Sequence, residues 1–150
     1  MELELTPALV TVGFVKTGRT YRLISGNGHQ ALIKLTSTMS GYSCLAAFDV
    51  TLCIASAEAA SSPYRTPPGQ PGPFDCRLLK EVEPSKNPSD PTLYASGWMF
   101  SDGHEAVERG RDLRHLLVDT HIPEMKEILD HPTFADILRS AVSADGWYRN

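Results

Sequence analysis

The sequence predicts an α+β fold: an antiparallel meander of three to five strands, one apolar face covered by a short N-terminal helix and two or three C-terminal helices. Three observations carry this reading. Between Arg19 and Ala55, three consecutive runs alternate apolar and polar residues, the period-two pattern that places one set on a single face of a pleated sheet. The first two runs are separated by Ser25-Gly26-Asn27-Gly28, residue types that tolerate the positive φ of a tight hairpin. From Asp102 onward the apolar period changes to that of helices, and strands first with helices last is an α+β order.

The elements follow in sequence. Thr6-Pro7 combines a hydroxyl N-cap with proline at a first helical position, and Gly13 suits the stop. Leu5, Leu9 and Val12 give this helix its stripe, while "ELEL" before it fits an extended segment equally well. Phe14 is placed to plug the gap between helix and sheet, and Gly18 allows a bend into the first strand. There Tyr21 and Leu23 alternate with Thr20, Arg22 and Ile24. After the hairpin, Ala31, Ile33 and Leu35 alternate with Gln30, Lys34 and Thr36, Leu32 being the exception. In "CLAAFDVTLCIA", Phe48, Val50, Leu52 and Ile54 share one face, with Asp49, Thr51 and Cys53 on the other.

Residues 1–150 read as a single domain, long enough to bury about 70% of the unfolded surface. A proline-rich loop region at about 57–92 interrupts it: eight of the eleven prolines fall between Pro63 and Pro91, which excludes a central strand there. Within this region "DCRLLKEV" fits a short helix or a strand, and "TLYASGWMF" beyond it is a further strand. In the last third, Asp102 and Glu105 have capping-box spacing, and Ala106, Gly110, Leu113 and Leu117, with Leu116, line one helix face. His121-Ile122-Pro123 restarts a helix with Met125, Ile128 and Leu129 inward. His131-Pro132 interrupts it before a final helix through Phe134, Ile137, Leu138 and Ala141.

Composition narrows the function classes. A net charge of −4 without any basic run argues against nucleic acid as a partner. No window approaches the roughly 20 apolar residues of a membrane span, and the N-terminus lacks a signal-peptide pattern. Three widely spaced cysteines, Cys44, Cys53 and Cys76, fit buried thiols in a reduced, cytoplasmic protein.

"GFVKTGRTY", the apolar strand "FDVTLCI", "CRLLKEVEP", "GWMF" and "DLRHLL…IPEMKEIL" together resemble an uncharacterised bacterial α+β family, a domain of unknown function. Its pattern of a helix ending in Gly-Phe, then Lys-x-Gly and an aromatic, falls here on Gly13, Phe14, Lys16, Gly18 and Tyr21. The first helix is shorter and the proline loop richer than the family shows. The resemblance implies a fold and supplies no catalytic residues.

The candidate chemistry is sparse. Arg22, Gln30, Lys34, Thr36, Asp49 and Thr51 share the polar sheet face, where they pair internally as cross-strand ion pairs or bind an anion or an acidic partner surface. No histidine has metal-site spacing, so neither a metal nor a cofactor is expected. His115 and Asp119 are spaced i, i+4, and His121 lies close by in sequence; with His104 they are the acid–base candidates. "WMFSDGHEAVERGRD" concentrates reactive residue types, and Trp98 there is a further binding candidate. The leading expectation is a protein-binding module of immunity or regulatory type without catalytic activity. The alternatives are a small enzyme with a His/Asp pocket between sheet and late helices, in a bacterial biosynthetic cluster, and a homodimer built on the sheet.

Overall fold

The structure is a computed structural model that describes residues 2–38, 46–60, 78–84, 98–100, 104–134, 136–137 and 146–149. Cys44, Cys76, Asp102, Leu138, Ala141 and both proline tracts (61–77 and 85–97) lie outside the described residues.

The α+β architecture is as expected. Helix α1 (Glu2–Thr11) is followed by β1 (Val15–Thr17), β2 (Thr20–Ile24), β3 (Gln30–Thr38) and β4 (Ala46–Ala55). A single turn, α2 (Ala57–Ala60), precedes β5 (Leu78–Glu81) and β6 (Trp98–Phe100). Then come α3 (His104–His115), a π-helical turn (Leu116–His121), α4 (Ile122–Asp130) and β7 (Tyr148–Arg149). Every strand pair is antiparallel, in the order β1-β2-β3-β4-β5-β7. Strands β5 and β6 lie end to end on one edge of β4: Thr51–Ile54 pair with β5 and Ala46–Phe48 with β6.

Helix α1 begins earlier than Thr6-Pro7 suggests, and Pro7 lies inside it. Leu5 and Leu9 are fully buried, so tertiary burial of the stripe outweighs local capping chemistry. The stop is a Schellman motif: Phe14 N–H bonds Leu9 C=O, Gly13 N–H bonds Val10 C=O, and Gly13 has φ 101°. Phe14 and Leu9 are both buried in the core, supplying the apolar contact that accompanies this cap. Gly18, at φ 59°, is the first central residue of a two-residue hairpin pairing Thr17 with Thr20, so the bend expected there creates β1. The Ser25–Gly28 turn closes as expected, with Gly28 N–H on Ser25 C=O and Gly28 at φ 79°.

The register follows the alternation. Tyr21 faces Ile33, Ile33 faces Leu52, and Ile54 faces Leu78, so these apolar residues share the helix-covered side. Leu5, Leu113, Leu117, Met125 and Leu129 complete this core from the helices. The exception at Leu32 also has a place: with Cys53, Ala55 and Ala59 it forms a second, smaller cluster on the opposite face, against which Leu79 packs. Within "DCRLLKEV", Leu78–Glu81 form β5, the strand alternative, and α2 falls within the span read as loop.

The helix restart at Pro123 is a continuous passage instead. Pro123 has no N–H to give the i−4 carbonyl, and the chain widens one turn ahead of it: Ile122 N–H bonds Leu117 C=O, five residues back. Lys126 on α4 donates to Val12 C=O at 3.2 Å, tying α4 to the C-terminal end of α1.

Candidate functional site

The polar sheet face assembles largely as its residue types suggest. Thr36 is the register partner of Asp49, and Lys34 of Thr51, with Thr20 beside Lys34 on β2. Thr51 pairs in turn with Glu81, and its hydroxyl donates to the Glu81 carboxylate at 3.1 Å. Arg22, Lys34 and Asp49 are half-buried. Gln30 is only 5% exposed, so it lies at the closed end of this face with Leu32 and Cys53 instead of on open surface.

A trough of about 350 Å³ runs across β3, β4 and β5 at the other end of this face. Its polar lining is Thr36, Asp49, Thr51, Glu81 and Glu83: three carboxylates, two hydroxyls and no cation among the described lining residues. Glu81 and Glu83 extend a surface that sequence alternation had assigned only as far as β4. Their signal was the alternation of Lys80 and Val82 with Glu81 and Glu83, readable only once "LLKEVE" is taken as a strand.

The acid–base candidates separate. His115 and Asp119 form an exposed pair, Nδ1 to Oδ2 at 3.1 Å, with side chains 67% and 65% exposed. His121 turns inward and is 8% exposed. His104 is the first residue of α3. Trp98 is 3% exposed, and its indole N–H donates to Val82 C=O at 2.8 Å, bridging the ends of β5 and β6.

His121 joins a cluster that the sequence did not announce. The Glu124 carboxylate accepts from Lys80 Nζ at 3.1 and 2.9 Å and from Trp147 Nε1 at 2.6 Å; His121 Nδ1 lies 3.4 Å from its Oε2. Lys80 occupies an inward position on β5, between Leu78 and Val82, and its ammonium lies 5.6 Å from the Trp147 ring centre. Burial holds His121 below its ordinary pKa, reinforced by the Lys80 charge and opposed by the bond to Glu124. Burial alone would raise Glu124, but the donors Lys80, Trp147 and His121 together hold its carboxyl below the usual range.

His29, not among the candidates, is also structural in its contacts. Its Nδ1 accepts the Ala57 N–H at 3.0 Å, and its ring stacks on Phe134 with centroids 3.8 Å apart. No group of three or more His, Cys, Asp or Glu side chains suited to a metal ion occurs among the described residues. No helix among them is long and apolar enough to cross a membrane. Comparison with family models, curated proteins and solved structures finds no match to the chain.

Proposed function

We propose that the chain is a non-catalytic protein-binding module that docks a basic segment of a partner on its polar sheet face. The trough carries this reading: Asp49 and Glu81 stand on adjacent strands, and Glu83 just beyond β5, around a depression large enough for a lysine or arginine side chain. A rigid sheet holds these carboxylates, so little ordering entropy opposes binding. Lys34, on β3 opposite Thr51, sets the opposite sign beside the trough and would orient a segment of mixed charge. Cytoplasmic location and an immunity or regulatory role belong to the same proposal, as does membership of the bacterial α+β family suggested by Gly13, Phe14, Lys16, Gly18 and Tyr21.

Fluorescence anisotropy with a labelled Lys/Arg-rich peptide tests the docking. Saturable binding that weakens with salt is the expected result, with Asp49→Asn and Glu83→Gln each weakening it about threefold to fivefold, the scale of an exposed ion pair. Equal affinity in wild type and in the double variant overturns it.

The enzyme reading draws on one observation, the convergence of His121 and Glu124 between sheet and helices. Ligand-observed NMR against a panel of metabolites, with a signal lost in His121→Gln, is the result that would favour it.

A further inference from the structure

The cluster around Glu124 joins three elements far apart in sequence. Lys80 comes from β5, Glu124 and His121 from α4 and the turn before it, and Trp147 from the segment leading into β7. Among the described residues, the strand pairing of that segment is confined to β7. Strand β7 has two residues, pairing Arg149 with Leu78 and Tyr148 with Leu79 along the edge of β5. Two ladder positions are a weak attachment, since short edge elements open locally at low free energy. Trp147 is the anchor: it is 4% exposed, its indole N–H is directed at the carboxylate, and its face receives the Lys80 ammonium. Gly146, at φ 81°, sets the entry into this segment, and a Cβ there would meet Lys80 Cε at 3.6 Å.

We infer that Gly146–Arg149 is a C-terminal latch, closed on the Glu124 carboxylate and loosened by protonation of His121. At neutral pH one carboxylate serves Lys80, Trp147 and, at the longest distance, a neutral His121 imidazole. A proton on His121 places a second cation 3.4 Å from Oε2, the oxygen that Lys80 already approaches to 2.9 Å. The imidazolium draws Oε2 toward itself and repels Lys80. Lys80 and Glu124 are the charged groups acting on His121, from β5 and α4 respectively, while the segment leading into β7 presents the uncharged Trp147. Movement of Lys80 withdraws the cation from the Trp147 ring, and movement of the carboxylate withdraws the acceptor from its N–H. Release uncovers the β5 edge at Leu78 and Leu79, on the strand that also carries Glu81 of the trough. The latch is independent of the docking proposal, because it lies on the helix side of the sheet.

Indole NMR tests it in the intact chain. The two tryptophan Nε1–H resonances are assigned with Trp147→Phe and followed from about pH 8 to about pH 5, the range in which histidine titrates. The Trp147 resonance is expected to shift upfield with a midpoint below that of an ordinary histidine, the Trp98 resonance staying in place. Exchange of the Leu78 and Leu79 amides should rise about tenfold or more over the same range relative to β3–β4 amides. In His121→Gln, which keeps an N–H donor toward Glu124, both responses should vanish. A Trp147 resonance unchanged by pH, or the same response in His121→Gln, overturns the inference. If His121→Gln does not fold, the wild-type comparison of Trp147 with Trp98 decides alone.

Discussion

The indole N–H of Trp98 donates to the carbonyl of Val82 at 2.8 Å, closing the gap where β5 ends and β6 begins along β4. Both groups are buried, so Trp98→Phe removes the donor and strands the acceptor. A loss of about 1–3 kcal/mol in urea unfolding is expected, the cost of an unsatisfied buried polar group. Amide exchange should show the loss first at Ala46–Phe48, with β2–β3 unaffected.

Glu124 holds together groups from β5, α4 and the β7 segment. Glu124→Ala leaves Lys80 and the Trp147 N–H without their acceptor in a mostly buried setting, and should destabilise by about 2–3 kcal/mol. Lys80→Met in the Glu124→Ala background should recover part of that loss, because the stranded charge is then gone. Urea midpoints of the two single variants and the double variant check this as a cycle.

Gly13 and Gly26 should respond oppositely to alanine. Gly13 has φ 101°, and its added Cβ would sit 3.3 Å from Leu23 Cδ1, so Gly13→Ala should cost about 1–2 kcal/mol. Gly26 has open space and no positive φ, so Gly26→Ala should be neutral or stabilise by up to about 1 kcal/mol. Thermal melts of the two variants separate these outcomes directly.

Acid should weaken the fold well before the carboxylates titrate. Burial lowers His29 and His121, reinforced at His121 by the Lys80 charge and opposed by Glu124, so the folded state favours both as neutral. The unfolded chain therefore binds more protons below the ordinary histidine value of 6.5, and stability present above it is lost as pH falls toward the folded values. Glu124, also lowered, adds a second loss below its ordinary 4.5. Urea midpoints measured between about pH 7.5 and about pH 5 should fall, and a flat or rising profile contradicts the assignment.

Much of the fold was legible because sheets write their faces into the sequence. The alternation of Tyr21, Ala31, Ile33, Val50, Leu52 and Ile54 names the residues that do meet in the core. Gly13-Phe14 was readable for the same local reason, a cap that needs glycine followed by an apolar residue. Pro7 misplaced the helix start because capping chemistry is local, whereas burial of Leu5 is not. Pro123 suggested a break that a π turn absorbs, and six positions along a helix point His115 and His121 to different sides. Lys80, Glu124 and Trp147 converge across separations of 44 and 23 residues, and no spacing rule reaches that far. Strands β1 and β7, three and two residues long, are too short to show a period.

The most direct measurement on the docking claim is a map of amide shifts during titration with a Lys/Arg-rich peptide. The account predicts saturable perturbations at Thr36, Asp49, Thr51, Glu81 and Glu83, lost when Asp49→Asn and Glu83→Gln are combined. Perturbations confined to the helices, or none on the sheet face at saturating peptide, would contradict it.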